Sequence, residues 1–422
     1  NRVRTPLTSS LSSGSVATLR AKVRWLKGNH EILLRLRGNY LEAFTNIVAA
    51  RNLGTPGAVN SRYLSNVGPA IHDVSHSPIT PSAGQAVTVR AQVGDPDGVA
   101  ALTLQYRVDP ATNFTAISMT YRGAGLYTAT IPGQTSGSIV AFHIQAADAS
   151  SPVGSTRFPD DAPTRECLIR FGDPVLSTGR VGTYRLWVTQ ATINRWTARE
   201  RNSNDPLDGT FAYGTHRVVY NIGTLYSGSP WHTPGYNGPL GNICDYVVRF
   251  PADDDFLGDT DLVLASTGNL SNDSTAQREQ TAFWMLQQLG VPTLYRRFFN
   301  LVINGQQRAT IYEDAQQPGS DIIDTWYPDD ADGDLHKIED WFEFDDSGDT
   351  RLGNVDATLQ DFTTTGGVKK LARYRWCWRK RAVKDSANDY VNLFALVDTL
   401  NSTRPEPYTS QIETWIDIEE WV

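Results

Sequence analysis

Two strand-like runs, Phe298 to Ile303 and Gln306 to Tyr312, are separated only by Asn304-Gly305. A two-residue loop closes a hairpin, and Asn-Gly suits the type I′ turn, in which both central positions need positive φ. Phe299, Leu301 and Ile303 alternate onto one face of the first run, so that face is expected to meet a core. Upstream, a helix is expected over residues 274–289. Ser274 and Gln277 have capping-box spacing. Ala282, Phe283, Leu286 and Leu289 fall on one side, and Gly290 and Pro292 supply a stop. Strands and helices are mixed in this way from residue 174 onward, which predicts an α+β domain over 174–422.

The preceding region reads differently. Candidate strands at 86–93, 101–108, 115–121, 126–131, 139–146 and 166–171 are separated by turn signals such as Asp95-Pro96-Asp97-Gly98 and Gly123-Ala124-Gly125. Short strands at this spacing over about 100 residues predict an immunoglobulin- or fibronectin-III-like β-sandwich at 67–173. Residues 1–66 alternate at 17–25 and 31–37. They read as the last strands of a β-sandwich or jelly-roll module followed by a turn-rich linker at 52–57. Asp95 and Asp97 have the chemistry to ligate calcium, although a Pro-Asp-Gly turn explains them without a metal.

Several function classes lose support. The net charge of -8 gives no electrostatic reason to bind nucleic acid. The basic runs at 369–375 and 379–381 read first as solvated faces. No apolar run reaches the roughly 20 residues of a membrane-spanning helix. Three distant cysteines, Cys167, Cys244 and Cys377, allow at most one disulfide and no zinc site. Phosphate-loop, nucleophile-elbow and H-E-x-x-H motifs are absent. The seven histidines, His216, His232 and His336 among them, show no metal spacing. The acidic run 329–334 breaks the frame of an EF-hand loop and reads as a solvated turn. A helix expected from Thr409 to Val422 would put Asp417, Glu419 and Glu420 in its last turn, against the helix dipole. The parent chain is therefore expected to continue.

Over residues 180–422 the order of motifs resembles the CotH kinase family of atypical protein kinases. The resemblance is carried by Gln277 to Phe283, Leu289-Gly290-Val291-Pro292, Leu301 to Gly305, Thr310 to Asp314 and Gly333 to Lys337. Tyr184 to Val188 stands where the family has its opening strand, and Tyr226 to Ser229 near its Gly-Asn-Ser turn. The family's following strand carries a lysine. Here the strand Asp245 to Phe250 has none, and Arg249 is the nearest cation.

The resemblance implies transfer of phosphate from ATP, with Mg2+, to Ser or Thr of secreted or surface proteins. The chain would then be extracellular or cell-surface. Phosphoryl transfer needs cations at the phosphates, carboxylates on magnesium and a base at the accepting hydroxyl. The nucleotide-binding candidates are Lys337, Glu313, Arg278 and Arg249. The family's catalytic and metal-binding aspartates are expected beyond Val422, so this segment alone is expected to be inactive and to hold no metal itself. Three of the four also have a structural reading: a Lys337–Glu339 pair, an exposed strand-end Glu313, and an Arg278 ion pair with Glu279 or Asp254. The alternative function is a non-catalytic surface protein for adhesion or carbohydrate binding, with a degenerate kinase-like scaffold.

Overall fold

The computed structural model describes residues 9–12, 14–16, 18, 20–23, 31–36, 41–46, 63–174, 176, 181–199, 205–227, 236–267, 273–339, 341–344, 351–355, 357–363, 366–384, 386–402 and 408–417. They are mostly β-sheet with few helices. The chain divides into two compact units, Leu64–Gln317 and a second made of Asn1–Tyr63 with Pro318–Val422.

The first unit begins with two antiparallel sheets. One runs in the order Ser155–Phe158, Ile139–Asp148, Val99–Val108, Thr115–Ser118, with Cys167–Arg170 also pairing Ile139–Asp148. The other runs Ala70–Ser77, Val87–Gly94, Leu126–Ile131, Thr120–Gly123. Val87, Val89, Ala91 and Val93 face one core with Leu102, Leu104, Phe142 and Ile144. The period-two pattern located most of these strands. Ala70–Ser77 escaped it because a register shift between His72 and Ser75, with Asp73 at φ 50°, breaks the alternation.

A closed barrel follows. Its strands are β1 (Gly182–Trp187), β2 (Leu207–Tyr213), β3 (Arg217–Tyr226), β4 (Tyr246–Arg249), β5 (Asp261–Ser266), β6 (Arg296–Ile303) and β7 (Gln306–Ala315). Neighbours run β1-β2-β3-β4-β5-β7-β6. Closure comes from parallel pairing of β1 with β6, from Gly182 opposite Phe299 to Leu186 opposite Ile303. Tyr184, Phe211, Tyr246, Val248, Leu264, Phe299, Leu301 and Tyr312 fill the interior. Helix α1 (Gln190–Ala198) follows β1, capped by the Thr189 side chain on the Thr192 amide. Helix α2 (Arg278–Gln288) stands between β5 and β6.

The two-sheet core continues into the barrel, taking in Trp187, Ala212, Val218 and Tyr220. Hydrogen bonds cross the same seam. The Leu168 amide donates to Thr210 Oγ1 at 3.0 Å, Trp187 Nε1 to Asp173 Oδ2 at 2.8 Å, and the Gln190 amide to Asp109 Oδ2 at 2.7 Å.

In the second unit, Leu335–Ile338 pairs with Trp378–Ala382, and hairpins form from Glu31–Leu36 with Leu41–Asn46 and from Trp341–Phe344 with Arg351–Val355. Tyr374, Tyr390, Leu393 and Val397 make a small core. Three expectations are corrected here. The alternation at 17–25 forms no strand among its described residues, and the linker at 52–57 lies outside them. The C-terminal helix is only Tyr408–Ile412. Asp417 therefore lies beyond it, and Glu419 and Glu420 are outside the described residues. Within the basic runs, two lysines are tied to aspartates rather than solvated. Lys369 lies between Asp361 and Asp398, and Lys380, with 2% of its side chain exposed, reaches Asp334 at 2.7 Å. Asp334 also accepts from the Lys384 amide, so the end of the acidic run is a tie within this unit. Among the described residues, no helix is long and apolar enough to cross a membrane.

Candidate functional site

Antiparallel pairing of β6 with β7 puts Arg297 opposite Asp314 and Phe298 opposite Glu313. Adjacent residues of a strand point to opposite faces, so Arg296-Arg297 and Glu313-Asp314 build two separate charge clusters.

Outside the barrel wall lies Glu313, 1% exposed. Its Oε1 accepts from Gln280 Nε2 of α2 at 2.9 Å, and its Oε2 from Arg296 Nη1 at 3.4 Å. Arg296 Nη2 also reaches Glu279 Oε1 at 2.6 Å, and its guanidinium covers the Phe283 ring at 4.5 Å. Burial pushes the Glu313 carboxyl above the ordinary carboxylate range, with Gln280 and Arg296 opposing and Glu279 adding to the rise.

Inside the wall, Asp314 is 0% exposed. Tyr184 donates to its Oδ2 at 2.8 Å and Arg297 at 2.7 Å, while Oδ1 is buried without a hydrogen-bond partner. Burial raises this carboxyl too, against the pull of Arg297. Tyr295 donates to Asp259 Oδ2 at 2.6 Å beside it. The wall thus carries a buried carboxylate on each face, held by an arginine together with an amide or a tyrosine.

The four predicted site residues fall as follows. Glu313 is buried, not an exposed strand-end carboxylate. Arg278 opens α2 and is exposed. The pairs read for it are made by others, since Glu279 meets Arg296 and Asp254 meets Arg217 at 2.6 Å. Arg249 ends β4, exposed, opposite Asp261. Two strand spacings and four residues of rise separate it from Glu313 by roughly 16 Å. Lys337 sits in Leu335–Ile338 of the other unit, paired with Glu339.

The sequence reading of α2 needs two corrections. No side chain of Gln277 caps it. Asp273 does that work: Oδ1 accepts from the Thr275 amide at 3.0 Å and Oδ2 from the Arg278 amide at 2.8 Å. These bonds, Thr275 first, hold the Asp273 carboxyl down to about 2. The face of Ala282, Leu286 and Leu289 is exposed, and Phe283 is half-buried under Arg296.

Arg296, Arg297 and Asp314 were missed because a search for strands attends to apolar alternation. The available signal was the symmetry of the hairpin, with two cations entering and two acids leaving. Away from the barrel, Asp148 joins Asp95 and Asp97, with oxygens within 4.8 Å of one another. Asp148 is already engaged by Asn66 Nδ2 at 2.7 Å and by the amides of Ser150 and Gly154.

Residues 246–422 match the family model described as CotH kinase protein. The match begins in β4, later than the strand at Tyr184 to Val188. No curated protein matches the chain. Two solved structures are similar in part. One is the cycloalternan-forming enzyme from Listeria monocytogenes in complex with a pentasaccharide substrate, at 7% identity and TM-score 0.18 over 46% of this chain. The other is the GH family 64 laminaripentaose-producing β-1,3-glucanase from Paenibacillus barengoltzii, at 14% identity and TM-score 0.15 over 47% of this chain. The chain spans 15% of the first and 58% of the second. At such TM-scores the likeness carries no argument.

Proposed function

We propose, from the premise that residues 246–422 are a CotH kinase domain, that this region handles ATP for phosphoryl transfer to Ser or Thr of secreted or surface proteins. The match is the observation that carries the reading. The two-sheet part is then an immunoglobulin- or fibronectin-III-like module in front of a kinase-like α+β region, and the protein works outside the cell or at its surface.

The residues present suit an anionic nucleotide. Arg249 and Arg278 are exposed cations, and Lys337 is a third, half-covered and paired with Glu339. Glu313 is too enclosed to meet a phosphate. Its part is to position Arg296, which the helix carboxylate Glu279 also holds. A helix carboxylate gripping a strand cation is the arrangement protein kinases use to aim charge at a nucleotide. Magnesium would neutralise charge developing on the phosphates. Among the described residues of the barrel, Glu313 and Asp314 are each engaged by an arginine and by an amide or a tyrosine, so neither is assigned to the metal.

The test is saturable binding of mant-ATP, with Mg2+, to the full 422-residue chain. Arg278→Ala should weaken it at least about tenfold, the loss of one charge-assisted contact. No saturable binding by a chain that circular dichroism shows folded would sink the kinase reading. A non-catalytic adhesion or carbohydrate-binding role would then stand, to be assayed on glycan arrays.

A further inference from the structure

The sheet built around Ile139–Asp148 turns Leu102, Leu104, Ile144 and Ala146 to the core. The residues that alternate with them share its outer face. Gln105 stands there opposite His143, Thr103 opposite Gln145, and Gln145 opposite Arg157. This polar patch spans two strand spacings and one two-residue step, roughly 10 Å by 7 Å. Its outward neighbours Ala101, Ala116 and Ala147 are small, so the longer side chains stand clear of them.

His143 is out of place in an ordinary solvated face. It is 4% exposed, with the Phe114 ring T-shaped against it at 4.9 Å, yet neither nitrogen bonds to a described residue and Nδ1 is enclosed without a partner. A neutral imidazole carries one donor and one acceptor, and burying them unpaired costs more than leaving them in water. An apolar residue would fill the same place without that cost. The amides beside it are half used. Gln105 Nε2 donates to Gln145 Oε1 at 3.2 Å, which leaves Gln105 Oε1 as an acceptor and Gln145 Nε2 as a donor. Arg157 gives Nη1 to the Ala162 carbonyl at 2.9 Å and has no carboxylate partner among the described residues. Arg107, on the same face, is neutralised by Glu166 and Asp109. Arg157 lies close enough to His143 to help burial, the larger cause, hold that ring below its ordinary value.

We propose that this outer face binds an acidic polysaccharide, with a uronate carboxylate on Arg157 and ring hydroxyls on His143, Gln105 and Gln145. This goes beyond the nucleotide reading and does not depend on it. A hydroxyl is both donor and acceptor, so neighbouring hydroxyls can pair at once with a spare donor, a spare acceptor and an unbonded imidazole. A neutral sugar would leave the Arg157 charge unused. An acidic peptide would find one cation and no row of backbone groups, because the patch lies on the face of the sheet and not along its edge. A chain of net charge -8 repels polyanions as a whole, so attraction has to be local.

Affinity electrophoresis of the full chain tests this, in native gels containing polygalacturonate, alginate, dextran or polyglutamate. Retardation is expected in at least one of the two uronate gels and in neither of the others. Arg157→Gln keeps a donor for the Ala162 carbonyl and removes the charge, and should raise the apparent Kd about tenfold. His143→Phe should raise it about fivefold while melting no lower than the native chain, which separates a binding role from a structural one. No retardation in either uronate gel overturns the proposal, and so does equal retardation by dextran or polyglutamate. Unchanged affinity in both variants places the sugar elsewhere and overturns this site. If His143→Phe melts lower, Gln145→Ala replaces it: weaker binding supports the site, and unchanged binding overturns it.

Discussion

The side-chain amide of Asn304 bonds to both backbone polar groups of Val188: Oδ1 accepts from the Val188 amide at 2.9 Å, and Nδ2 donates to the Val188 carbonyl at 2.8 Å. The Asn304 amide donates to the Leu186 carbonyl at 3.0 Å. The turn residue thus extends the parallel pairing of β1 with β6 by one step and pins the barrel's closure.

Asn304 and Gly305 adopt φ 45° and 80°, the positive pair that a type I′ turn requires. Asn304→Gly keeps that freedom and removes only the two bonds to Val188. It should cost about 1–3 kcal/mol in denaturant unfolding. Asn304→Ala should cost more, because it adds a strained φ. Gly305→Ala meets a second obstacle, since its Cβ would run into the Arg170 guanidinium, in a side chain held by Asp173. Equal stability of Asn304→Gly and the native chain would show that the amide is not part of the closure.

Arg308 predicts a second stability effect. It is 4% exposed and donates to three consecutive carbonyls, Leu240 at 3.3 Å, Gly241 at 2.6 Å and Asn242 at 2.9 Å. A lysine cannot reach three acceptors in that fan. Arg308→Lys should lower stability by about 1–2 kcal/mol, and Arg308→Met by about 2–4 kcal/mol because three carbonyls lose their donor. Thermal melts of the full chain would show this. A neutral Arg308→Met would mean that the 240–242 segment finds other donors.

What could be read from the sequence, and what could not, divides by range. The hairpin was legible because two residues between two strands leave one geometry. The strands at 87–94 and 126–131 were legible because side chains alternate with period two whatever lies opposite. The face of α2 misled, because periodicity reports that a helix has an apolar side without saying that anything covers it. Asp273 was passed over in favour of Ser274 and Gln277, since both patterns put an acceptor before the helix and only geometry chooses. The basic runs hid their partners: Lys380 meets an aspartate 46 residues away, and Lys369 one 29 away. The site charges on β6 and β7 sat in plain view but carried no periodic signal.

The cysteines give a third prediction. All three are buried thiols outside any disulfide. Burial raises the Cys244 thiol to about 12 and pushes Cys167 well above the ordinary range. Neutral, enclosed thiols are poor nucleophiles. Ellman's reagent at pH 8 should therefore titrate close to none in the native chain and three per chain in denaturant. Rapid reaction of one thiol without denaturant would locate a part of the fold that opens locally.

His76 supplies the last prediction, at the seam between the two-sheet core and the barrel. The ring is 3% exposed, lies against Trp187 and Tyr220, and is bonded on both nitrogens. Nε2 donates to the Ile79 carbonyl at 2.9 Å, which leaves Nδ1 to accept from the Tyr220 hydroxyl, 144 residues away in sequence. Burial lowers the ring from 6.5 to about 4. A base with a depressed value binds its proton more weakly when folded. Its contribution is therefore intact above pH 6.5, is lost as the pH falls from 6.5 towards 4, and changes no further below that. The full loss is about 3 kcal/mol, an upper bound set by the size of the shift. Because one core spans the seam, the two-sheet part and the barrel should melt in a single transition whose midpoint falls across that window. His76→Gln cannot titrate. It should be less stable at pH 8 but lose less on acidification, and the difference between the two curves isolates this residue from the carboxylates that titrate nearby. Parallel curves from pH 7 to 4 would mean that the seam admits the proton without strain, with the Tyr220 hydroxyl turning to accept it.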